Sequence, residues 1–323
     1  RIGSEALPAL IAALAPADTE TRLRIISVLG GIGDERARKP LRAQLADRRA
    51  RQRAEEALSR LRPSPAYTVH LKTLGTFEVW RGVEPVADRE WKTARAKSLL
   101  QLLASRRGQF LSKERILEIL WPDAEPEAAD NSFRFTLSTL NKVLEPQRPE
   151  GSLPYFIVRR GDSYGLEPSS QVTIDSEEFT RLVRAARALP RELPSAVDEA
   201  QELYSRALEL YTDDYLPEQV YEDWTSAERE RLRELYFIAA GDLADLLLQR
   251  GDVDRVVALC RSVLDRDPCR EDATRLLMRA HLARGDRTGA VRAYQACVSA
   301  LNRDLGLDPL PETVQLYREV RQS

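Results

Sequence analysis

The 323-residue chain has few of the side chains that build metal sites and disulfides. It holds three cysteines and two histidines, and neither set has the spacing of metal ligands. An odd number of unpatterned cysteines favours reduced thiols. We therefore expect a cytoplasmic protein without a zinc centre.

Long apolar runs and catalytic motifs are absent as well. No apolar run approaches the roughly 18 residues that a membrane-spanning helix needs, so no membrane partner is expected. The sequence has no phosphate-cradling GxxxxGK(S/T) pattern, no GxSxG and no HExxH. We expect neither an enzyme nor a bound cofactor within these residues. The chain begins mid-repeat, which suggests a piece of a longer protein.

Charge is unevenly distributed along the chain. Basic and acidic residues number 13 and 8 in residues 1–62, 15 and 14 in 63–170, and 21 and 29 in 171–323. A nucleic-acid-binding domain is usually more basic than the middle region. That balance disfavours strong non-specific DNA binding but leaves room for a local basic face.

Changes of hydrophobic period predict a mainly α-helical protein with a small β component and three domains. Residues 1–62 contain two similar segments, ALPALIAAL and ARKPLRAQL, each followed by a second amphipathic helix. Helix pairs with a period near 30 indicate a solenoid, and GDERARKPL resembles the short HEAT repeats of bacterial proteins. Pro63-Ser64-Pro65 reads as a stiff linker.

Residues 66–170 predict short strands, three helices and a final hairpin. A strand pair turns around Gly75, Gly108 ends the first helix, and Ser112 caps the second. The hairpin turn falls at Arg160-Gly161-Asp162-Ser163. This order is that of a winged helix, whose third helix enters a major groove and whose hairpin meets the backbone or minor groove.

The third helix, predicted over Ala128–Leu144, has an unusual polar face. Its apolar side runs through Phe133, Leu137, Leu140 and Leu144. The opposite side has no acidic residue from Asn131 to Leu144 and exposes the ring of Phe135. Such a face can contact base edges, and it also fits a solvated helix or a protein-contact helix anchored by Phe135.

Residues 171–323 predict helical repeats. The tripeptide Arg-Gly-Asp occurs at 250–252 and again at 284–286, each time between two helices. A 34-residue helix–turn–helix period is that of the tetratricopeptide repeat. The acidic surplus here favours a basic protein partner over DNA.

Together these segments resemble the Streptomyces antibiotic regulatory protein family. The run ARAKSLLQLLASRRGQFLSKERILEILWPD…AADNSFRFTLSTLNKVLEP is similar to its OmpR-type winged helix. The run RDPCREDATRLLMRAHLARGD is similar to the bacterial transcriptional activator domain that follows the winged helix in this family.

The resemblance implies an activator that binds promoter direct repeats, with homo-oligomers on those repeats, and that recruits RNA polymerase holoenzyme. Its DNA-contacting positions fall here on Arg95, Lys97, Asn131, Arg134, Phe135, Ser138, Asn141, Lys142, Arg159 and Arg160. Asp123 and Glu125, in the acidic loop Asp123–Asp130, correspond to the polymerase contact. The family usually has arginines near Thr139 and Asn141, which this chain lacks. Related regulators often carry a nucleotide-hydrolysing domain, and such a domain could lie outside this stretch. A scaffold that uses its repeats for protein contacts is the alternative function.

Overall fold

The computed structural model describes residues 6–61, 65–149, 152–167, 171–190 and 192–322. Their fold is mainly α-helical with short strands, as predicted. The chain forms two compact units, the first from residues 1–71 and 78–174 and the second from 72–77 and 175–323. Residues 63 and 64 of the predicted linker lie outside the described residues.

The first unit begins with four helices that share one apolar core. They are α1 (Leu7–Leu14), α2 (Thr19–Ile32), α3 (Arg38–Ala43) and α4 (Arg51–Ser59). Asp18 caps α2 by accepting hydrogen bonds from the amides of Glu20 and Thr21. A Cβ added to Gly30 would lie 2.7 Å from the Cα of Ala57, so the glycine allows α2 and α4 to pack closely. The two predicted helix pairs are thus present and share one core.

A small sheet and three helices follow in the same unit. The strands β1 (Val69–Lys72), β2 (Glu78–Arg81) and β3 (Glu84–Pro85) form consecutive neighbours. Next come α5 (Ala94–Ser105), β4 (Leu111–Ser112), α6 (Lys113–Leu120) and α7 (Pro126–Leu144). The Ser112 hydroxyl caps α6 by accepting the Arg115 amide, as the sequence predicted.

A hairpin completes the winged helix. Its strands are β5 (Ile157–Arg160) and β6 (Ser163–Leu166), and β6 also pairs with β4. Arg160 lies opposite Ser163 across the turn, which is where the sequence places it. The strand β7 (Val172–Ile174) then pairs in parallel with β1, with Leu71 opposite Ile174. This strand follows the predicted domain boundary at residue 170 but belongs to the first unit.

The second unit is a series of helices in which each packs on the next. They are α8 (Asp175–Ala188), α9 (Pro194–Leu210), α10 (Asp223–Gln249), α11 (Val253–Arg266), α12 (Glu271–Ala283), α13 (Arg287–Asp304) and α14 (Pro311–Gln322). Among the helices of the described ranges, none is long and apolar enough to cross a membrane.

The two Arg-Gly-Asp sequences make the same turn in this unit. Gly251 and Gly285 have φ angles of 78° and 76°, a left-handed conformation that glycine adopts without strain. The amides of Asp252 and Asp286 then bond back to the carbonyls of Leu247 and His281, at 3.0 and 2.8 Å. Because the geometry recurs with the sequence, the 34-residue repeat is a structural repeat.

Candidate nucleic-acid interface

The helix α7 is held in place by its apolar face. Phe133 is 1% exposed, and its ring meets Trp121 and Tyr164 edge-on, with centroid distances of 6.4 and 5.0 Å. Leu140 and Leu144 are fully buried further along the same face. The helix is thereby fixed against both α6 and the hairpin, and its rotation about its own axis is determined.

The C-terminal end of α7 has three further contacts that sequence reasoning missed. The Tyr67 hydroxyl donates to the carbonyl of Leu144 at 2.6 Å, and the Arg81 guanidinium donates to the carbonyl of Val143 at 2.9 Å. A cation at this end also interacts favourably with the helix dipole. The buried Glu145 carboxylate accepts the amides of residues 155 and 156 just before β5. No periodic signal in the sequence marks these partners, because each is either far in sequence from the residue that it contacts or outside a regular element.

The N-terminal end differs from the prediction. Residues 123–130 were expected to form an acidic loop, but α7 already begins at Pro126. Proline suits this first helical position because its missing N–H has no partner inside the helix. Asp130 therefore lies on the helix, where it forms ion pairs with Lys113 and, at 2.7 Å, with Arg134. Of the four acids in residues 123–130, only Asp123 and Glu125 remain in the loop before the helix, and both are exposed.

Five of the predicted base-reading residues form one exposed stripe on α7. Phe135 is 56% exposed, which confirms the predicted helical register. The stripe consists of Asn131, Arg134, Phe135, Ser138 and Lys142. It presents an amide, a hydroxyl, an aromatic ring and two cations to the outside.

Asn141 was expected on the same face, and that expectation is wrong. The residue is 6% exposed, and its neighbour Thr139 is 5% exposed. On a helical wheel Asn141 lies about 80° from Phe133, inside the covered arc, whereas Phe135 lies about 200° away. Both side chains are therefore covered and do not belong to the exposed stripe.

The predicted phosphate contacts are placed on the surface in different ways. Arg95, in the first turn of α5, is exposed, and Lys97 pairs with Asp88 at 2.6 Å. The hydrogen bond from Lys97 lowers the pKa of that carboxyl. Arg159 donates to the carbonyl of Gly161 at 2.8 Å, which holds its side chain at the turn of the hairpin.

Arg160 lies over an aromatic ring beside the hairpin. Its guanidinium carbon is 4.0 Å from the centroid of the Phe110 ring. A cation in this position is held by the ring's electron density and keeps its outer N–H groups for other acceptors.

Comparisons with known proteins agree with this architecture. Residues 89–166 match the family described as transcriptional regulatory protein, C terminal. Residues 174–321 match the bacterial transcriptional activator domain. The chain is 26% identical over 252 residues to the regulatory protein AfsR of Streptomyces coelicolor, covering 77% of this chain and 24% of AfsR. It is 25% identical over 222 residues to the transcriptional regulator RedD of the same organism, covering 68% of this chain and 61% of RedD.

A solved structure shows the same fold. The structure of Mycobacterium tuberculosis EmbR in complex with a low-affinity phosphopeptide superposes with a TM-score of 0.65 at 22% identity. The alignment covers 79% of this chain and 65% of EmbR.

The pair of domains defines a class of protein. This chain joins a match to the C-terminal domain of transcriptional regulatory proteins to a match to the bacterial transcriptional activator domain. The chain is homologous to AfsR and RedD, regulators of the Streptomyces antibiotic regulatory protein family that its sequence resembles. The chain spans about a quarter of the length of AfsR.

Proposed function

We propose that this chain is a transcription activator that binds promoter DNA in a sequence-specific manner through α7. The observation that carries the proposal is the exposed stripe on α7, which has polar groups, two cations and no acid. Arginine and asparagine side chains can each form paired hydrogen bonds with a base edge, and an apolar group can contact a thymine methyl. Asn131, Arg134 and Phe135 supply these three kinds of group.

The ion pair between Arg134 and Asp130 supports a base-reading role. The guanidinium is 73% exposed, so the pair is weak in water and its loss costs little. Arg134 can therefore exchange the carboxylate for a base while Asp130 keeps Lys113. The hydroxyl of Ser138 and the ammonium of Lys142 extend the same contact toward the C-terminal end of the helix.

The remaining basic residues act as phosphate clamps in this proposal. Arg95 and Lys97 belong to the start of α5, and Arg159 and Arg160 belong to the hairpin, which we call the wing. Contacts to phosphate fix the orientation of a protein on the duplex without reading its sequence. Lys97 would exchange Asp88 for a phosphate oxygen.

We further propose that Asp123 and Glu125 contact RNA polymerase holoenzyme. Both are exposed and directly precede the recognition helix. Acids at this place would repel DNA phosphates at close range, so a protein partner suits them better. In keeping with the family, the protein would act in the cytoplasm, without catalysis of its own in these residues, as a homo-oligomer on direct repeats. Residues 1–62, 66–170 and 171–323 would be its HEAT-like, DNA-binding and activator domains.

The decisive experiment is selection of bound sequences from random DNA, followed by alanine variants on the selected site. Asn131→Ala and Arg134→Ala should each cost roughly 1–3 kcal/mol of binding free energy and relax the preference at one base pair. The matched control is Arg115→Ala, because Arg115 is an exposed arginine on α6 that pairs with Glu118 at 2.9 Å. If selection returns no sequence preference, or if both α7 variants bind like the parent, the scaffold function replaces this proposal.

A further inference from the structure

A groove of about 780 Å³ lies inside the first unit, between the end of α2 and the winged helix. Gly31 and Ile32 line it from α2, Leu137 and Asn141 line it from α7, and Arg159 and Tyr164 line it from the wing. This volume is within the range of sites that hold small organic molecules. The groove is distinct from the exposed stripe of α7, with which it shares no residue.

Asn141 gives the groove an unmet polar group. The side chain is 6% exposed, and its Oδ1 has no hydrogen-bond partner in the part of the chain that the structure describes. A buried carbonyl without a partner is costly, and such groups in folded proteins call for a specific explanation. A donor on a bound molecule would satisfy this oxygen.

The groove is otherwise shaped for an apolar body. Ile32 and Leu137 both line it, and a Cβ added at Gly31 would meet no atom within 4 Å. Arg159 and Arg160 line the groove from the wing. Arg159 is 63% exposed and pairs with Asp162 at 3.5 Å, whereas Arg160 has no acidic partner within 4 Å among the described residues. Apolar walls with one buried acceptor and a cation at the edge are typical of a site that orients an amphipathic ligand.

We propose that this groove binds a small apolar molecule whose hydroxyl or N–H group donates a hydrogen bond to Oδ1 of Asn141. An anionic substituent on the molecule would be favoured beside Arg159. A molecule bound here would contact both α7 and the wing, the two elements that we propose to meet DNA. The site itself does not depend on DNA binding, and each proposal can fail without the other.

Occupancy of the groove can be measured with anilinonaphthalene sulfonate, a dye that combines apolar rings, an N–H group and a sulfonate. The dye should bind the parent chain with an increase in fluorescence. Gly31→Leu places a side chain in the groove and should weaken dye binding by about tenfold or more. Gly241→Leu is the matched control, because Gly241 is also a helical glycine with no atom within 4 Å of an added Cβ. Equal dye affinity in Gly31→Leu and the parent would overturn the proposal.

The role of Asn141 is tested by a pair of ligands of similar shape. Naphthol carries a hydroxyl donor where methylnaphthalene carries a methyl group. In the parent, naphthol should displace the dye about threefold to tenfold better than methylnaphthalene, and Asn141→Leu should abolish that preference while circular dichroism shows a folded chain. A preference that persists in Asn141→Leu would refute the assignment. So would loss of dye binding as the chain self-associates at higher concentration, since a second copy would then fill the groove.

Discussion

The winged helix and the helical repeats use their surface arginines in different ways. In the second unit many arginines are held by acids on the same or a neighbouring turn, as in the pairs Arg181–Glu178, Arg231–Glu228, Arg270–Asp272 and Arg303–Asp304. In the described part of the winged helix, Arg95, Lys142 and Arg160 have no acidic partner within 4 Å. The arginines of those four pairs in the repeats are already bonded to acids, whereas these three cations of the winged helix are available to an acidic partner.

Net charge alone would have hidden this difference. Residues 63–170 contain 15 basic and 14 acidic residues, which is close to balance. Placement matters for the proposed DNA binding, because an exposed cation without an acid nearby attracts phosphate even in a domain that is neutral as a whole.

The largest expected effect is on the free energy of unfolding, and it concerns one aromatic residue in each region. Tyr204 is fully buried in the repeats and donates its hydroxyl to Asp242 at 2.6 Å, whereas Phe135 is 56% exposed. Tyr204→Ala should cost about 3–5 kcal/mol of unfolding free energy through loss of packing, and Phe135→Ala should cost less than about 0.5 kcal/mol. Urea titration followed by circular dichroism measures both.

Leu140→Ala is the control within α7, because it truncates the buried face of the same helix. It should cost roughly 2–5 kcal/mol. A loss of that size from Phe135→Ala would mean that the ring packs in the free protein, and the surface of α7 would then be no more available than that of the repeats.

A smaller effect, on the salt dependence of DNA binding, should distinguish arginines of the winged helix from those of the repeats. Arg95→Ala and Arg160→Ala should each weaken binding to all DNA sequences alike and lower the slope of log affinity against log salt by about one unit. Arg303→Ala serves as the control in the repeats, since its guanidinium already bonds Asp304 at 2.7 and 2.8 Å. Salt titrations by fluorescence anisotropy give the slopes, and an equal slope change in all three variants would erase the proposed difference between the regions.

The smallest effect on DNA affinity should come from the acids before α7. A double variant, Asp123→Asn with Glu125→Gln, leaves the first turn of the helix intact and should bind the selected site like the parent. Transcription from that promoter with purified polymerase should nevertheless fall if these acids contact the enzyme. Undiminished transcription would remove the polymerase contact from the proposal.

Much of the fold could be predicted from local patterns. The helical period placed Phe135 outside and Phe133 inside, and the recurring Arg-Gly-Asp located the repeat turn, because both depend on residues close in sequence. The contacts of Glu145 with residues 155 and 156 could not be predicted in this way, since a buried carboxylate accepting backbone amides leaves no periodic trace.

The burial of Asn141 could not be predicted from a helical wheel. Polar character suggested exposure, but the covered arc of α7 is wider than its strongly apolar residues indicate, because the wing and the α2 end also lie beside the helix. A residue at the border of that arc is decided by tertiary packing. The same border residue leads to the groove, which no sequence motif marked.

The hydrogen bonds of Asp175 bear on how such a protein can be cut and recombined. Its carboxylate accepts from the amide and hydroxyl of Thr73 and from the amide of Leu74, and burial raises its pKa. Residues 73–77, although they lie between β1 and β2, thus belong to the second unit. A gene fragment that starts at residue 175 would encode the helices but leave this acid without two of its partners. An exchange of activator domains between regulators by a single crossover at that point would therefore combine the donor's Asp175 with the recipient's loop. A functional chimera needs residues 73–77 from the donor as well.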